Sequence, residues 1–279
     1  MIQSFDEESL AVNGLNDVLD QVQSCCTDLG INFFIVGALA RNIWYVSHDA
    51  PAKGTQDVDF GIFVANTNQY QQLRDCLQKK HNYTPGLENA FCLISPTGLQ
   101  VDLLPFGAIA SDEYILVDGH GRIKLELDGF EEVFQYGLVE AEISGNMFKA
   151  SSIPGVVLLK LIAYDDRPEH RIKDLKDINA ICQYYPQVET NFIWSEYFEL
   201  YTDDRDQTTV AMLVLGLELK KLIATNARLY NRVKTILENA LAPNAHFPQH
   251  MISNALEETI EEKKNWINSI YEGLTKLEL

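Results

Sequence analysis

The sequence predicts an α+β fold, with a short mixed sheet flanked by helices in residues 1–152 and an all-helical domain in residues 153–279. Two observations support this division. Short apolar runs rich in β-branched and aromatic residues alternate with amphipathic helical stretches as far as Ser152. Beyond that point strand signals nearly vanish, and four or five helical segments follow. A chain of 279 residues has room for two such domains.

The first helix is predicted over 7–29, because Leu10, Leu15 and Val18 recur at helical spacing and Gly30 supplies a stop. The aromatic-rich run 31–36 predicts the first strand. Further predicted strands are 58–64, 91–94, 99–104, 114–117, 122–127 and 139–143, with DGHG at 118–121 as a hairpin turn. Further predicted helices are 38–48, 68–79, 155–165, 171–182, 208–224 and 257–276.

A formal net charge of −18 bounds the partners of this chain. Such a surface repels phosphate backbones, so we expect no broad non-specific binding to DNA or RNA. The charge does not exclude a local pocket that binds one nucleotide. The charge also suits a basic protein partner, or it serves solubility alone. No apolar run reaches the ~18 residues of a membrane span, and the acidic start MIQSFDEESL is unlike a signal peptide. We therefore expect a cytoplasmic protein without membrane association.

The cysteine count bears on disulfides and metal binding. The five cysteines (positions 25, 26, 76, 92 and 182) are odd in number and include no CxxC pair, so they suggest neither a disulfide framework nor a zinc site. We expect them to be small buried apolar residues.

One stretch of the sequence is rich in aromatic residues. These rings either stack on nucleic-acid bases or pack in a helical core, and we expect core packing. The rings are those of Tyr184, Tyr185, Trp194, Tyr197, Phe198 and Tyr201.

Asp57 and Asp59 lie two residues apart where a strand is predicted. Side chains alternate faces along a strand, so both carboxylates project to one side. Adjacent carboxylates repel each other unless a cation lies between them, and a hard ion such as Mg²⁺ or Mn²⁺ prefers carboxylate, phosphate and water oxygens. The pair predicts a metal site. The alternative is one solvated aspartate at a strand end and one that caps a turn.

Two features accompany this pair. Gly37 ends a strand just where a helix begins, a junction at which backbone N–H groups and the helix dipole favour a phosphate. Asp102 is the single acid in an otherwise apolar strand, and a buried lone carboxylate needs a partner such as a shared metal ion. Three carboxylates beside a phosphate cradle indicate phosphoryl or nucleotidyl transfer assisted by two metal ions.

A second polar cluster opens the helical domain. Lys160 interrupts an apolar helix, so its ammonium either reaches the surface or finds an anion. Arg167 and Arg171 flank a proline; they bind a triphosphate or an RNA end, or they pair with neighbouring acids. Asp174 shares a helix face with Asp177 and orients Lys160 or Arg171; the alternative is an ordinary surface ion pair between Lys173 and Asp177.

These motifs resemble the polymerase-β-type nucleotidyltransferase superfamily, in which a strand ends in a glycine and a small residue, a helix follows, and two later strands supply acids. Within it the sequence most resembles the AbiEii/AbiGii abortive-infection toxins, the nucleotidyltransferase half of a toxin–antitoxin pair. The likeness covers roughly residues 30–185. Besides the three strand acids, the matching residues are Lys53, Thr55, Lys160, Ala163, Arg167, Lys173, Asp174 and Asp177.

The resemblance implies an enzyme that transfers a nucleoside monophosphate from an NTP to an RNA, such as a tRNA 3′ end, or to a protein acceptor. It also implies Mg²⁺ or Mn²⁺ as cofactor and an antitoxin protein as partner. The implied metal ligands are Asp57, Asp59 and Asp102, and the implied catalytic residues add Lys160 and Asp174. The implied nucleotide-binding residues are Gly37, Ala38, Arg41, Thr55, Lys160, Arg167 and Arg171.

Gly37-Ala38 departs from the Gly-Ser or Gly-Gly of the superfamily. A hydroxyl contact to the triphosphate is missing, whereas the backbone contacts survive and the small alanine does not block a phosphate. The alternative is a catalytically degenerate nucleotidyltransferase-like protein that binds a nucleotide or a partner protein without turnover.

Overall fold

The computed structural model describes residues 4–87, 89–111, 114–117, 121–124, 127–254 and 256–276. The chain divides into two compact units, residues 1–156 and 157–279. The first unit holds a mixed sheet with helices, and the described residues of the second unit form helices and turns. The predicted α+β class is confirmed.

Seven strands of the first unit correspond to predicted strands, whereas those at 4–5, 84–85 and 146–151 were not predicted. The strands of this unit are β1 (Ser4–Phe5), β2 (Asn32–Val36), β3 (Asp57–Phe63), β4 (Thr84–Pro85), β5 (Cys92–Ile94), β6 (Gln100–Phe106), β7 (Tyr114–Val117), β8 (Gly121–Lys124), β9 (Leu138–Ile143) and β10 (Asn146–Ser151). Residues 118–120 of the predicted DGHG turn, and residues 125 and 126 of the predicted strand 122–127, lie outside the described residues. The helices of this unit are α1 (Leu15–Leu29), α2 (Gly37–Val46), α3 (Thr67–His81) and α4 (Phe130–Tyr136).

Eight strands form one mixed sheet in the order β1-β9-β10-β2-β3-β6-β5-β4. In its centre, β2 runs antiparallel to β3, β3 runs parallel to β6, and β6 runs antiparallel to β5. β7 and β8 pair in a separate two-stranded sheet. The two strands that carry the predicted acids, β3 and β6, are therefore direct neighbours.

One face of the central strands is an apolar core surface. Val58, Phe60 and Ile62 of β3 are fully buried on this face. Phe60 meets Phe33 of β2 edge to face, with ring centroids 5.7 Å apart. Burial of these side chains holds β3 in register, because a shift by one residue would turn them to the opposite face.

The opposite face carries an aromatic cluster along the C-terminal half of β3. Phe34, Phe63 and Phe106 lie on this face and contact Phe134 of α4, with ring centroids 5.3 to 5.9 Å apart. Gly61 lies beneath the Phe34 ring, which a Cβ would approach to 2.4 Å. The polar start of β3 on the same face therefore adjoins a tightly packed hydrophobic floor.

The predicted helix over 7–29 is wrong at its start, over residues 7–14. α1 begins at Leu15, after Gly14, whose φ of 79° lies in the left-handed region. The preceding residues form turns, with the Leu10 N–H donating to the Asp6 carbonyl at 3.2 Å. Leu10 is fully buried. Its apolar side chain therefore packs a turn against the core and does not extend the helical stripe.

The cysteine prediction is wrong for one pair. Cys25 of α1 and Cys76 of α3 form a disulfide, with Cα atoms 6.0 Å apart and 51 positions between them in sequence. Cys26, Cys92 and Cys182 are free and buried, as predicted. A pair this distant carries no local sequence signal, because only the packing of α1 beside α3 brings the two thiols together.

The second unit is built from helices. Together with the helix that leads into it, they are α5 (Ile153–Asp166), α6 (Ile172–Val188), α7 (Thr190–Glu196), α8 (Gln207–Ile223), α9 (Ala227–Ala240), α10 (Phe247–Met251) and α11 (Ile260–Thr275). α8 and α11 touch backbone to backbone. A Cβ on Gly216 would lie 2.1 Å from the Ile270 carbonyl oxygen, and one on Gly273 would lie 2.0 Å from that of Leu213. Within the described residues, no helix has both the length and the apolar character to cross a membrane.

Candidate active site

Asp59 and Asp102 occupy matching positions on neighbouring strands. In the parallel pair of β3 and β6, Asp59 lies opposite Asp102 and Asp57 lies opposite Gln100. Paired residues of adjacent strands project to one face, and so do residues two apart along a strand. The three aspartates therefore share one face of the sheet, and each is half-buried. We call Asp57, Asp59 and Asp102 the acidic face.

Gly37 packs directly against the acidic face. β2 ends at Val36, opposite Asp59, and α2 begins at Gly37 with φ of 63°. A Cβ on Gly37 would lie 2.0 Å from Asp59 Oδ2, a separation that two such atoms cannot hold. Glycine is thus required both by the left-handed backbone and by the carboxylate. The result places the N-terminus of α2, with Ala38 in its first turn, beside Asp59.

Two neutral side chains direct the other carboxylates. Thr55 Oγ1 donates to Asp57 Oδ1, and Asn89 Nδ2 donates to Asp102 Oδ2 at 2.8 Å. Thr55 precedes β3 and Asn89 precedes β5, so each donor reaches its acid from a loop. These bonds fix the orientation of the carboxylates in this structure. Thr55, predicted to bind nucleotide, contacts the first of the strand acids.

The predicted metal ligands share a face but do not converge. Among the described residues, no three His, Cys, Asp or Glu side chains are placed to hold one metal ion. The donor type fits a hard divalent cation, because every group is a carboxylate, and strands are only about 4.8 Å apart. Each of these hydrogen bonds uses one carboxylate oxygen, Oδ1 of Asp57 or Oδ2 of Asp102, and a carboxylate has a second oxygen that can ligate an ion. Metal ligation stays a prediction.

Sequence reasoning missed Asn42, which anchors the loop before β3. Asn42 is fully buried in α2. Its Nδ2 donates to the Lys53 carbonyl at 2.8 Å, and its Oδ1 accepts from the Lys53 N–H at 3.3 Å. This two-way bond fixes the chain just ahead of Thr55 and Asp57. A polar pair, Arg41 and Asn42, inside a helix whose other residues are mostly apolar is the sequence signal that identifies it.

Arg41, predicted to bind nucleotide, lies inside the first unit. It is 3% exposed, and its Nη2 donates to Asn42 Oδ1 at 3.2 Å. Its guanidinium lies over the Tyr45 ring, 5.7 Å from the centroid. Arg41 therefore supports the amide that anchors Lys53, and its predicted contact with a nucleotide is not tested.

Lys160 finds anions within the second unit. Its Nζ lies 2.9 Å from Asp174 Oδ1 and 2.7 Å from Asp177 Oδ2. Burial disfavours the ammonium, yet attraction and hydrogen bonding to both carboxylates outweigh burial and raise the pKa of Lys160. Arg171 Nη1 adds a weaker ion pair, 3.7 Å from Asp174 Oδ2. The sequence predicts that Asp174 orients Lys160 or Arg171, and in the structure it pairs with both. The catalytic and nucleotide-binding roles of these three residues stay predictions.

The neighbouring acids have a partner that sequence reasoning missed. Arg232 of α9 pairs with Asp165, at 2.9 Å, and with Asp166. The side chain of Arg167, a predicted nucleotide-binding residue, is exposed. Asp165 and Asp166, possible ion-pair partners of Arg167 and Arg171 in the sequence, therefore pair with Arg232. Arg232 is distant in sequence, so only the tertiary structure reveals this pairing.

Comparison with known proteins gives no family. No family model matches this sequence, and no curated protein matches it. The chain is similar to the antibiotic-resistance factor ANT(2'')-Ia, at 12% identity and a TM-score of 0.39, over 78% of this chain and 94% of the other. It is similar to an antigenic nucleotidyltransferase-like protein from Paracoccidioides brasiliensis, at 16% identity and a TM-score of 0.40, over 82% and 94%.

A third similar structure is the cyclic dinucleotide synthase CdnE of Elizabethkingia meningoseptica with GTP and Apcpp. The identity is 11% and the TM-score 0.31, over 97% of this chain and 94% of the other. TM-scores of this size carry no argument about the activity of this chain. The resemblance to the AbiEii/AbiGii toxins stays a prediction, and the functional proposal rests on the chain's own residues.

Proposed function

We propose that the first unit is a metal-dependent nucleotidyltransferase that transfers a nucleoside monophosphate from an NTP. The contact of Gly37 with Asp59, together with Asp102 opposite Asp59, carries this proposal. A helix N-terminus attracts phosphate, and adjacent carboxylates attract a divalent cation. An NTP bound to Mg²⁺ or Mn²⁺ presents phosphate and cation together, so it is the ligand that suits both features.

The residues divide the chemistry as follows. Asp57 and Asp59 would hold the ion, which when bound neutralises phosphate charge. N–H groups at Gly37 and Ala38 bind the outer phosphates. A carboxylate oxygen of Asp102 accepts the proton of the acceptor hydroxyl. The acceptor oxygen then bonds to the α-phosphorus, while the bond from that phosphorus to the pyrophosphate oxygen breaks.

The resemblance supports a finer proposal for the acceptor and the role. The acceptor is an RNA, such as a tRNA 3′ end, or a protein, and the chain is the toxin of a toxin–antitoxin pair. A net charge of −18 restricts how RNA binds. An RNA acceptor would be held at one end, because a long phosphate backbone is repelled.

A protein that binds nucleotide without turnover is the second candidate. Two observations favour it. Ala38 lacks the hydroxyl that the superfamily supplies to the triphosphate. Asp57 and Asp102 accept hydrogen bonds from Thr55 and Asn89, and within the described part of the chain no three His, Cys, Asp or Glu side chains are placed to hold one metal ion. In this case the acidic face binds the metal–nucleotide complex, and no bond is transferred.

A labelling assay separates the candidates. Each α-labelled NTP is incubated with Mg²⁺ or Mn²⁺ and with total RNA or total protein as acceptor. The unchanged protein is compared with Asp59→Asn and with a control, Asp75→Asn, which removes a carboxylate that pairs with Lys79 on the surface of α3. We expect transfer by the unchanged protein and by the control, and only background with Asp59→Asn.

Nucleotide binding is measured in parallel by equilibrium dialysis. Metal-dependent binding without transfer to any acceptor establishes the second candidate. Equal transfer by Asp59→Asn and the unchanged protein contradicts the proposed site. If the protein shows no nucleotide binding and no transfer, both candidates are contradicted.

A further inference from the structure

Three exposed or half-exposed rings stack on one another in the second unit. Trp194 of α7 lies 5.0 Å from Phe198 and 4.6 Å from Tyr201, with interplanar angles of 26° and 13°. Trp194 is 48% exposed and Phe198 is 60% exposed. The expectation that this stretch packs in the helical core is therefore wrong for these two residues. We call Trp194, Phe198 and Tyr201 the aromatic stack.

The segment that carries the aromatic stack is anchored to α8. Ile193 and Leu200, the residues just before Trp194 and Tyr201 in sequence, are buried. Tyr197 donates its hydroxyl to Glu218, and Lys221 Nζ lies over the Tyr197 ring, 5.0 Å from its centroid. The rings are consequently held out to solvent by a fixed backbone, which lowers the entropy lost when a ligand binds them.

The segment that carries the aromatic stack is rich in acidic residues. Residues 189–206 include six Asp or Glu residues and one arginine. That arginine, Arg205, donates from Nη1 to the Leu200 carbonyl at 3.3 Å, so it is turned toward the backbone. Five of the acids are exposed, namely Glu196, Glu199, Asp203, Asp204 and Asp206. The patch therefore combines aromatic faces with negative charge.

We propose that the aromatic stack binds an arginine- or lysine-rich segment of a partner protein. Aromatic faces attract guanidinium and ammonium groups, and Arg stacks flat on such rings. Glu196 and Glu199 flank Phe198 in sequence and supply carboxylates for the same cations. A single-stranded nucleic acid also stacks on aromatic rings, but its phosphates would meet these carboxylates. The site is separate from the proposed nucleotidyl transfer and does not depend on it.

Binding of a short fluorescent arginine–glycine peptide to the full chain tests this proposal by anisotropy at low salt. A citrulline–glycine peptide has the same shape without the charge, and labelled oligo(U) is the nucleic-acid probe. We expect Trp194→Ala and Phe198→Ala each to weaken peptide binding on the order of fivefold. Glu196→Gln/Glu199→Gln weakens it as well.

Matched controls separate the aromatic stack from general acidity. Tyr136→Ala removes a ring of similar exposure, 55%, from the first unit. Glu131→Gln/Glu140→Gln removes two charges there. Both leave peptide binding unchanged, and circular dichroism checks that every variant folds.

Three results overturn the proposal. The first is no binding of the arginine peptide, or equal binding of the citrulline peptide. The second is unchanged affinity in Trp194→Ala and Phe198→Ala. The third is oligo(U) binding tighter than peptide binding and lost in Trp194→Ala, which reassigns the aromatic stack to single-stranded RNA.

Discussion

Gly37 and Gly30 have almost the same backbone conformation, with φ of 63° and 64°, but different surroundings. A Cβ on Gly30 would meet nothing within 4 Å, whereas one on Gly37 would enter the Asp59 carboxylate. Substitution at Gly30 therefore reports backbone strain alone. Substitution at Gly37 reports the same strain and the displacement of an acid.

We expect Gly37→Ala to be more destabilising than Gly30→Ala. Left-handed backbone costs an alanine about 1 kcal/mol at either position. The clash with Asp59 adds roughly 1 to 3 kcal/mol at Gly37. Urea unfolding measures both, and dialysis measures NTP binding, which Gly37→Ala weakens and Gly30→Ala leaves intact. Equal effects of the two variants on stability and binding would show that Gly37 has no special relation to the acid.

Strand alternation predicted that Asp57 and Asp59 share a face, because the period of two is a local property of the backbone. The hydrogen bonds from Thr55 and Asn89 were beyond prediction. Asn89 comes from a loop whose path depends on how β4 and β5 pack beside β6. The convergence of three carboxylates on one ion depends on rotamers, which spacing does not determine.

At the scale of elements, the disulfide ties α1 to α3. Cross-linking residues 51 positions apart restricts the unfolded chain, which stabilises the fold by about 4 kcal/mol in the chain-entropy account. We expect Cys25→Ser/Cys76→Ser to lower the free energy of unfolding by up to this amount. A reductant should lower that of the unchanged protein in the same way.

Cys26→Ala is the matched control for the disulfide. Cys26 neighbours Cys25, is buried, and has its pKa raised to about 12 by burial, so its thiol is unreactive at neutral pH. This variant keeps the sensitivity to reductant. A protein whose urea midpoint does not change with reductant would exclude a disulfide between α1 and α3.

The ion cluster of Lys160 joins α5 to α6. The side chains of Lys160 and Asp174 are 11% and 6% exposed. Removing the ammonium of Lys160 deprives the carboxylates of Asp174 and Asp177 of this ion pair. We expect Lys160→Met to lower the free energy of unfolding by about 3 kcal/mol near neutral pH. The folded-state pKa of Lys160 is raised from its ordinary value of 10.5.

This raised pKa fixes the pH window of the effect. The contribution of the ammonium is complete below the ordinary pKa of 10.5 and is lost as the pH rises through the higher folded-state value. The stability difference between the unchanged protein and Lys160→Met therefore stays constant from neutral pH to about pH 9 and shrinks only above about pH 10.5. Urea unfolding across this range checks it. A difference that shrinks between about pH 7 and pH 9 would contradict the assignment to Lys160.

The types of the predicted elements were mostly right and their ends less so, while β1, β4, β10 and α4 were not predicted. β2, β3 and β6 were found because apolar and aromatic runs bounded by turn residues persist over their whole length. The predicted start of the last helix at 257 is three residues early, since Thr259 caps α11 by accepting from the Glu262 N–H. The spacing of apolar residues alone does not reveal at which residue a helix begins.

At the scale of the whole molecule, the net charge of −18 sets the response to salt. Like charges repel one another more in the folded chain than in the expanded unfolded chain, and salt screens that repulsion. We therefore expect the melting temperature to rise as NaCl is raised from about 0.01 M to about 0.15 M. Differential scanning calorimetry measures it. A melting temperature that falls with salt would show that attractive ion pairs outweigh the repulsion.

The disulfide also bears on where the protein resides. Disulfides persist in oxidising compartments and are rare in the cytosol. The Cys25–Cys76 bond therefore does not favour the predicted cytoplasmic location, which stays a prediction. Cellular fractionation, followed by thiol labelling with and without reductant, decides between the cytosol and an oxidising compartment.

Mn²⁺ binding followed by electron paramagnetic resonance tests the central claim most directly, because it reports the acidic face whether or not turnover occurs. A titration of the protein with an NTP present should show a bound Mn²⁺ ion in the unchanged protein and in Asp75→Asn. The same titration of Asp59→Asn should show only the spectrum of Mn²⁺ with the NTP in the absence of protein. Equal Mn²⁺ binding by Asp59→Asn and the unchanged protein would contradict the proposed metal site.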